Sequence, residues 1–203
     1  MPWISVRGAQ MLTDTSKQII TGNVLLIVCC VFYILWWIIA FKPEGAIKGM
    51  KSGWLLIPAV ITGMISIYIL IKTFMDSSYD TAMFSNLAVL IIGIITYFVL
   101  LAVTALFFHR IVTTELVLIV GWTVLALCEI NTLVATLGLA RGAALALIIV
   151  SLIFGIASMI CYLRYYDLDA RRGWICGMIP LILVMVFMVV LSICTYISMR
   201  LMK

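Results

Sequence analysis

The chain has 203 residues, of which 66% are hydrophobic and only 10% charged, with a mean hydropathy of +1.30. Soluble domains carry about 25% charged residues, so a soluble core is excluded. The net charge of +5 is spread over short connections with no basic run, which excludes a nucleic-acid arm and leaves membrane topology as its use.

In lipid every backbone N–H and C=O must be satisfied internally, by helices or by a closed barrel. The apolar stretches lack the alternation of barrel strands, so the class is all-α and polytopic. A hydrocarbon core about 30 Å thick needs about 20 helical residues. Six stretches meet that length: Asn23–Phe41, Trp54–Phe74, Ser85–Phe108, Glu115–Leu137, Ala143–Leu163 and Trp174–Ser198. They fill residues 1–203 as a single six-helix transmembrane domain in three hairpins. The first stretch is too long for a signal-peptide core and ends in Trp36, Trp37, Phe41 and Lys42, without a small-residue cleavage site, so it is expected to remain a span.

Orientation follows from loop charge. Lys42, Lys48, Lys51, Arg110, Arg164, Arg171 and Arg172 fall in the odd loops, and only Lys72 and Arg141 in the even ones. Odd loops are therefore expected in the cytoplasm and both termini outside, in a multi-pass protein of the cell membrane. Arg7, Lys17, Arg200 and Lys203 at the termini dilute this contrast.

In the first span Tyr33 and Trp37 are four residues apart and are expected to share a face, with Trp36 pointing elsewhere. Such aromatic residues suit an interfacial belt or a box for a flat ligand. Trp36-Trp37 followed by Lys42-Pro43 is similar to the aromatic pair and Lys-Pro of the tryptophan-rich sensory (translocator) proteins. The match ends there: that family has one span fewer and a Trp- and Pro-rich loop that this chain lacks, so none of its functional residues is carried over. Pro58 and Pro180 are expected in the first two turns of their helices, where a missing N–H costs little.

The third span aligns Asn86, Gly93, Tyr97 and Thr104 at helical spacing, a candidate polar pathway. The fourth carries Glu129, the one acid well inside a span. It shares a stripe with Trp122, Thr132 and Thr136, whereas Asn131 faces elsewhere. An ionisable group at such depth faces other helices or water and marks a pathway, a proton relay or a buried hydrogen bond. The fifth span aligns Ser151, Gly155, Ser158 and Tyr162, a small-residue packing face.

The most polar connection runs from Arg164 through Asp167, Asp169 and Arg171 to Arg172, suited to lipid headgroups or a partner subunit. All six cysteines, Cys29, Cys30, Cys128, Cys161, Cys176 and Cys194, lie in or at the edge of spans and form no C-x-x-C pair, so they read as packing residues. His109 is the one histidine, which excludes a bis-histidine haem bundle within the chain. There is no H-E-x-x-H and no G-x-S-x-G. The paired aspartates and glycines of the CDP-alcohol transferases are represented only by a fragment, Asp167 to Arg171. No cofactor and no metal site is expected.

Three readings stay open. The first is a transporter or channel for a small solute or ion, with Glu129 as its coupling or selectivity residue. The second is a non-catalytic membrane subunit that docks or captures a substrate for a larger complex. The third is a membrane enzyme acting on a lipid, resting on His109 and the Asp167–Arg172 loop. The lipid bilayer is a partner in all three; a small-molecule or ion substrate, a second copy or other membrane subunits divide among them.

Overall fold

Six helices, α1 (Ser5–Phe41), α2 (Leu56–Asp76), α3 (Asn86–Phe107), α4 (Thr113–Leu137), α5 (Arg141–Tyr165) and α6 (Ala170–Leu201), form the bundle in a computed structural model. It describes residues 5–41, 52–76, 83–109, 113–165 and 167–201. Each helix is long and apolar enough to cross a membrane. The face holding the C-terminal ends of α1, α3 and α5 is termed the first face, and the opposite one the second.

Helix ends are set by local chemistry. Ser85, extended at φ −76° and ψ 123°, caps α3 by accepting from the Ala88 N–H, as short hydroxyl side chains do at N-caps. Gly138 stops α4 at φ +63°, a left-handed conformation open to glycine without a Cβ clash. The Leu139 N–H then turns back to the Leu133 carbonyl at 3.3 Å. Arg141 begins α5 at once, so α4 and α5 run antiparallel.

The fourth helix is the axis of the bundle. Two-thirds of its most apolar window (67%) is buried, against 11% for the corresponding windows of α1 and α3. Its hydropathy is also the lowest of the six, 2.0, because it carries Glu129, Asn131, Thr132 and Thr136. Unpaired polar groups in hydrocarbon cost several kcal/mol, so the helix that has them takes the protein-lined position. It rests against α3, α5, α6 and α2, while α1 packs along α2 and α6. A core of Ile19, Leu70, Phe74, Trp122, Leu133, Phe187 and Leu191 fills the space between. In contrast, Ile92, Ile95, Phe98 and Leu106 of α3 are exposed, as lipid-facing residues would be.

The helices run beyond the expected membrane spans: α1 starts at Ser5, before Asn23, and α6 starts at Ala170, before Trp174. Apolarity locates the hydrocarbon-spanning part of a helix, whereas the backbone stays helical into the polar zone where Lys17 or Arg171 reach water. One consequence concerns Pro180: it lies inside α6, well past the first two turns, and its ring nitrogen leaves the Cys176 carbonyl without the usual helical donor. Pro58 does fall in the first turn of α2. The Arg164–Arg172 connection shrinks likewise, with Arg164 closing α5 and Arg171 and Arg172 opening α6. Trp3, Ile4 and the loop positions Lys42, Lys48, Lys51 and Arg110 lie outside the described residues.

Aromatic pairing in α1 also departs from expectation. Tyr33 meets Trp36, with ring centroids 5.3 Å apart, since residues three apart are neighbours on a helix as much as residues four apart. Trp37 turns to α6, where its indole N–H donates to the Trp174 carbonyl at 3.1 Å. It is a helix-packing residue.

The fifth helix buries Ser151, Gly155, Ser158 and Tyr162. A Cβ placed on Gly155 would stand 3.1 Å from Thr123 Oγ1 of α4, so small residues set the α4–α5 distance here. Gly155→Leu is expected to lower stability by about 1–3 kcal/mol, the usual cost of overpacking. The check is the unfolding midpoint in mild detergent; an unchanged midpoint would show that the α4–α5 seam yields freely.

Candidate functional site

Glu129 is 1% exposed, and at 1.5 Å per residue it lies about 12 Å before the end of α4 at the second face. Its carboxyl Oε1 accepts from Asn23 Nδ2 of α1 at 2.8 Å. Asn23 is itself fully buried at 0% exposure. Its amide oxygen, Oδ1, has no hydrogen-bond partner. Cys194 of α6 is a titratable group in electrostatic range of the carboxyl. A carboxyl and an unspent amide oxygen therefore sit together, out of water, between α1, α4 and α6.

Asn131, Thr132 and Thr136 of α4 belong to a second, separate cluster. Asn131 Oδ1 accepts the backbone N–H of Met83 at 2.8 Å and of Phe84 at 3.3 Å. Its Nδ2 donates to the Phe84 carbonyl and to Asn86 Oδ1, both at 2.7 Å. Asn86 Nδ2 in turn reaches the Phe74 carbonyl at 3.0 Å and Thr132 Oγ1 at 3.3 Å. Both amides are thus spent in fixing Met83, Phe84 and the end of α2 to α3 and α4. Thr132 and Thr136 close their hydroxyls on carbonyls one turn back, those of Cys128 and Thr132.

The expected stripe on α4 is therefore divided. Trp122, Glu129, Thr132 and Thr136 are all buried, but the two threonines bond within α4 and to Asn86 of α3, and not to Glu129. Trp122 packs edge-on against Phe187 of α6, with centroids 5.6 Å apart, and its indole nitrogen has no partner. On α3, Asn86, Gly93 and Thr104 are buried while Tyr97 is half-buried. Thr104 donates to the Leu101 carbonyl at 3.0 Å, and Gly93 lies directly under Val124 of α4. The α3 line is the contact face between α3 and α4.

The polar connection lies at the first face, away from Glu129. Arg172 Nε is 3.6 Å from Asp169 Oδ1, with both side chains mostly exposed, a pairing worth about 0–1 kcal/mol. The Asp167 N–H returns to the Arg164 carbonyl at 2.9 Å. Arg164 and Arg171 are exposed. Among the described residues no group of His, Cys, Asp and Glu is arranged to hold a metal ion, and the described cysteines are free thiols.

Asn23 escaped the sequence reading because it stood at the supposed edge of the first span, where an amide is unremarkable. The signal was present in the turns before it. Ser16, Ile19, Asn23 and Cys30 repeat at helical spacing, and all four are buried. Asn131 escaped because a stripe argument treats one helix face as polar, whereas a central helix has partners on every side.

Comparison with protein families, with characterised proteins and with solved structures gives no match to this chain. The geometry alone carries the functional argument.

Proposed function

We propose that this polytopic membrane protein is a transporter or channel for a small solute or ion, with the Glu129–Asn23 pair as its coupling or selectivity site. The reading rests on one observation: a carboxyl buried in the bundle beside an amide oxygen that nothing else uses. A buried acceptor left unsatisfied costs about 1–3 kcal/mol, so the pair favours an additional positive partner. A proton on the carboxyl supplies a donor for the amide oxygen, and a desolvated cation supplies charge to both oxygens. Either occupant moves the site between two states, as coupling requires.

The subunit reading has its own support in α3, whose outward surface is apolar and whose contacts within the chain are mainly with α4. Purification in mild detergent separates the two: a transporter comes out alone or as a homo-oligomer, and a subunit comes out with other chains in fixed ratio. The test of the site is flux in proteoliposomes, comparing wild type with Glu129→Gln at matched protein content. Flux that the substitution leaves untouched at every pH would remove Glu129 from the mechanism.

Both termini are proposed to lie outside, with the first face in the cytoplasm. A cysteine at Gly142, an exposed position at the start of α5, is expected to react only with reagent added outside. One at Arg171 is expected to react only from the cytoplasmic side. Reversed labelling would mean that the terminal charges set the topology.

A further inference from the structure

A second site lies on α4, toward the first face. A cavity of about 480 Å³ occupies the region where α2 and α3 scarcely meet, with α4 and α6 behind it. That volume is within the range of pockets that hold drug-sized ligands, about 300–1,000 Å³. Ile67, Ile94 and Val117 belong to its wall and are 42%, 60% and 54% exposed. Their surroundings are the apolar, lipid-facing sides of the helices, so the opening faces the bilayer and not water. No lining side chain is charged.

Two polar groups in this wall have no partner: the indole nitrogen of Trp122 and the hydroxyl of Ser158. They belong to residues only 6% and 2% exposed. Because α4 and α5 are antiparallel and Gly155 touches Thr123, Ser158 falls nearly one turn further on, level with Val120 and about 3 Å along the axis from Trp122. An indole N–H can only donate, and a hydroxyl can donate as well as accept. The wall also holds Tyr33, Tyr97 and Tyr162. A ligand that brings an acceptor gives the indole and the hydroxyl a partner.

We propose that this cavity binds a neutral, lipid-soluble molecule whose carbonyl-type oxygen accepts from Trp122 and Ser158, taken up sideways from the bilayer. The uncharged wall excludes a phosphate or carboxylate headgroup, since a charge there would have no counter-ion. The apolar wall takes the chain or ring, and the two donors set its depth. The site shares no residue with the Glu129–Asn23 pair and does not depend on that pair's role.

The test uses the whole protein in phosphatidylcholine nanodiscs with a diazirine-bearing methyl palmitate as photoreactive probe, the attachment sites being mapped by peptide mass spectrometry. Labelling is expected to concentrate on α3 and α4 around Ile94 and Val117. Unlabelled methyl palmitate or a decyl-substituted benzoquinone is expected to displace the probe about tenfold better than hexadecane, as one or two added hydrogen bonds imply. Whichever carbonyl compound displaces better identifies the source, an acyl ester or a quinone ring. Trp122→Phe keeps the ring against Phe187 but removes the donor, and Ser158→Ala removes the other. Each is expected to weaken carbonyl displacement about three- to tenfold, leaving hexadecane unchanged. Glu129→Gln is expected to leave all of these values as in wild type. Hexadecane competing equally, label spread evenly over the lipid-facing helices, or a cavity protected only in a dimer of the chain would each overturn the proposal.

Discussion

Glu129→Gln is expected to fold at least as stably as wild type while losing all pH-dependent flux. The wild-type pair has one hydrogen bond, Asn23 Nδ2 to Glu129 Oε1 at 2.8 Å, and one orphan acceptor, Asn23 Oδ1. A glutamine keeps the shape and brings an amide N–H that can reach that orphan while its own oxygen still accepts from Asn23. Hydrogen bonds between membrane helices average about 0.6 kcal/mol, so a gain of that order, and no loss, is the expected change in stability. The same substitution fixes the site in the equivalent of its protonated state, since an amide releases no proton. Glu129→Asp, shorter by one methylene, is expected to keep part of the flux. The measurement pairs proton and sodium flux in proteoliposomes across a pH series with unfolding midpoints of the same preparations. A stable Gln variant with wild-type flux would reduce Glu129 to a structural tie; an unstable one would show that the carboxyl is held by partners other than Asn23.

The opposite substitution sharpens the argument. Asn23→Leu removes the donor and the orphan acceptor together and leaves the carboxyl without the Asn23 hydrogen bond. Breaking a buried pair costs more than the pair contributes, because the remaining group keeps its desolvation penalty. Asn23→Leu therefore belongs among the destabilising changes, although Glu129→Gln at the other end of the same hydrogen bond does not. That asymmetry is what distinguishes a site lacking a proton or cation from a site already complete.

How far the sequence reveals this arrangement depends on the kind of signal. Span number and helix class are legible because hydropathy responds to the bilayer, a requirement acting on each segment separately. The central place of α4 is legible in retrospect from its polar residues, since only an enclosed helix tolerates Glu129, Asn131, Thr132 and Thr136. Pairing is not legible. Nothing in the residues around Asn23 states that it meets Glu129, because that contact depends on the packing of α1 against α4 in the completed bundle. The Trp122 cavity is hidden for the same reason: α3 leans on α4 and little on α2, a tertiary fact with no local signature. Helix ends are not marked by the apolar spans, because polar residues continue a helix beyond the hydrocarbon, as at Ser5 and Ala170.

Asn131→Leu is expected to be the most destabilising single change among the polar positions of α4. The two side chains share a branched shape and leucine is the larger, so the substitution opens no cavity, and its effect combines lost hydrogen bonds with some overpacking. Wild-type Asn131 contacts two backbone N–H groups, one carbonyl and the Asn86 amide, at 2.7–3.3 Å. Met83, whose N–H makes one of these bonds, is exposed, and Phe84 is half-buried, so water recovers part of what is lost near the second face. Asn86 is buried and cannot be rescued in this way. With about 1–3 kcal/mol for each buried group left unpaired, a loss of about 2–4 kcal/mol is expected. Thr132→Val removes only the 3.3 Å contact from Asn86 Nδ2 and the hydroxyl's bond to the Cys128 carbonyl, and should cost about 1 kcal/mol or less. Hydrogen exchange gives the local check: the Met83 and Phe84 amides should exchange slowly in wild type and rapidly in Asn131→Leu, with the α5 and α6 amides unaffected. Equal protection in both proteins would mean that Met83 and Phe84 are held by Asn86 and their own backbone, and not by Asn131.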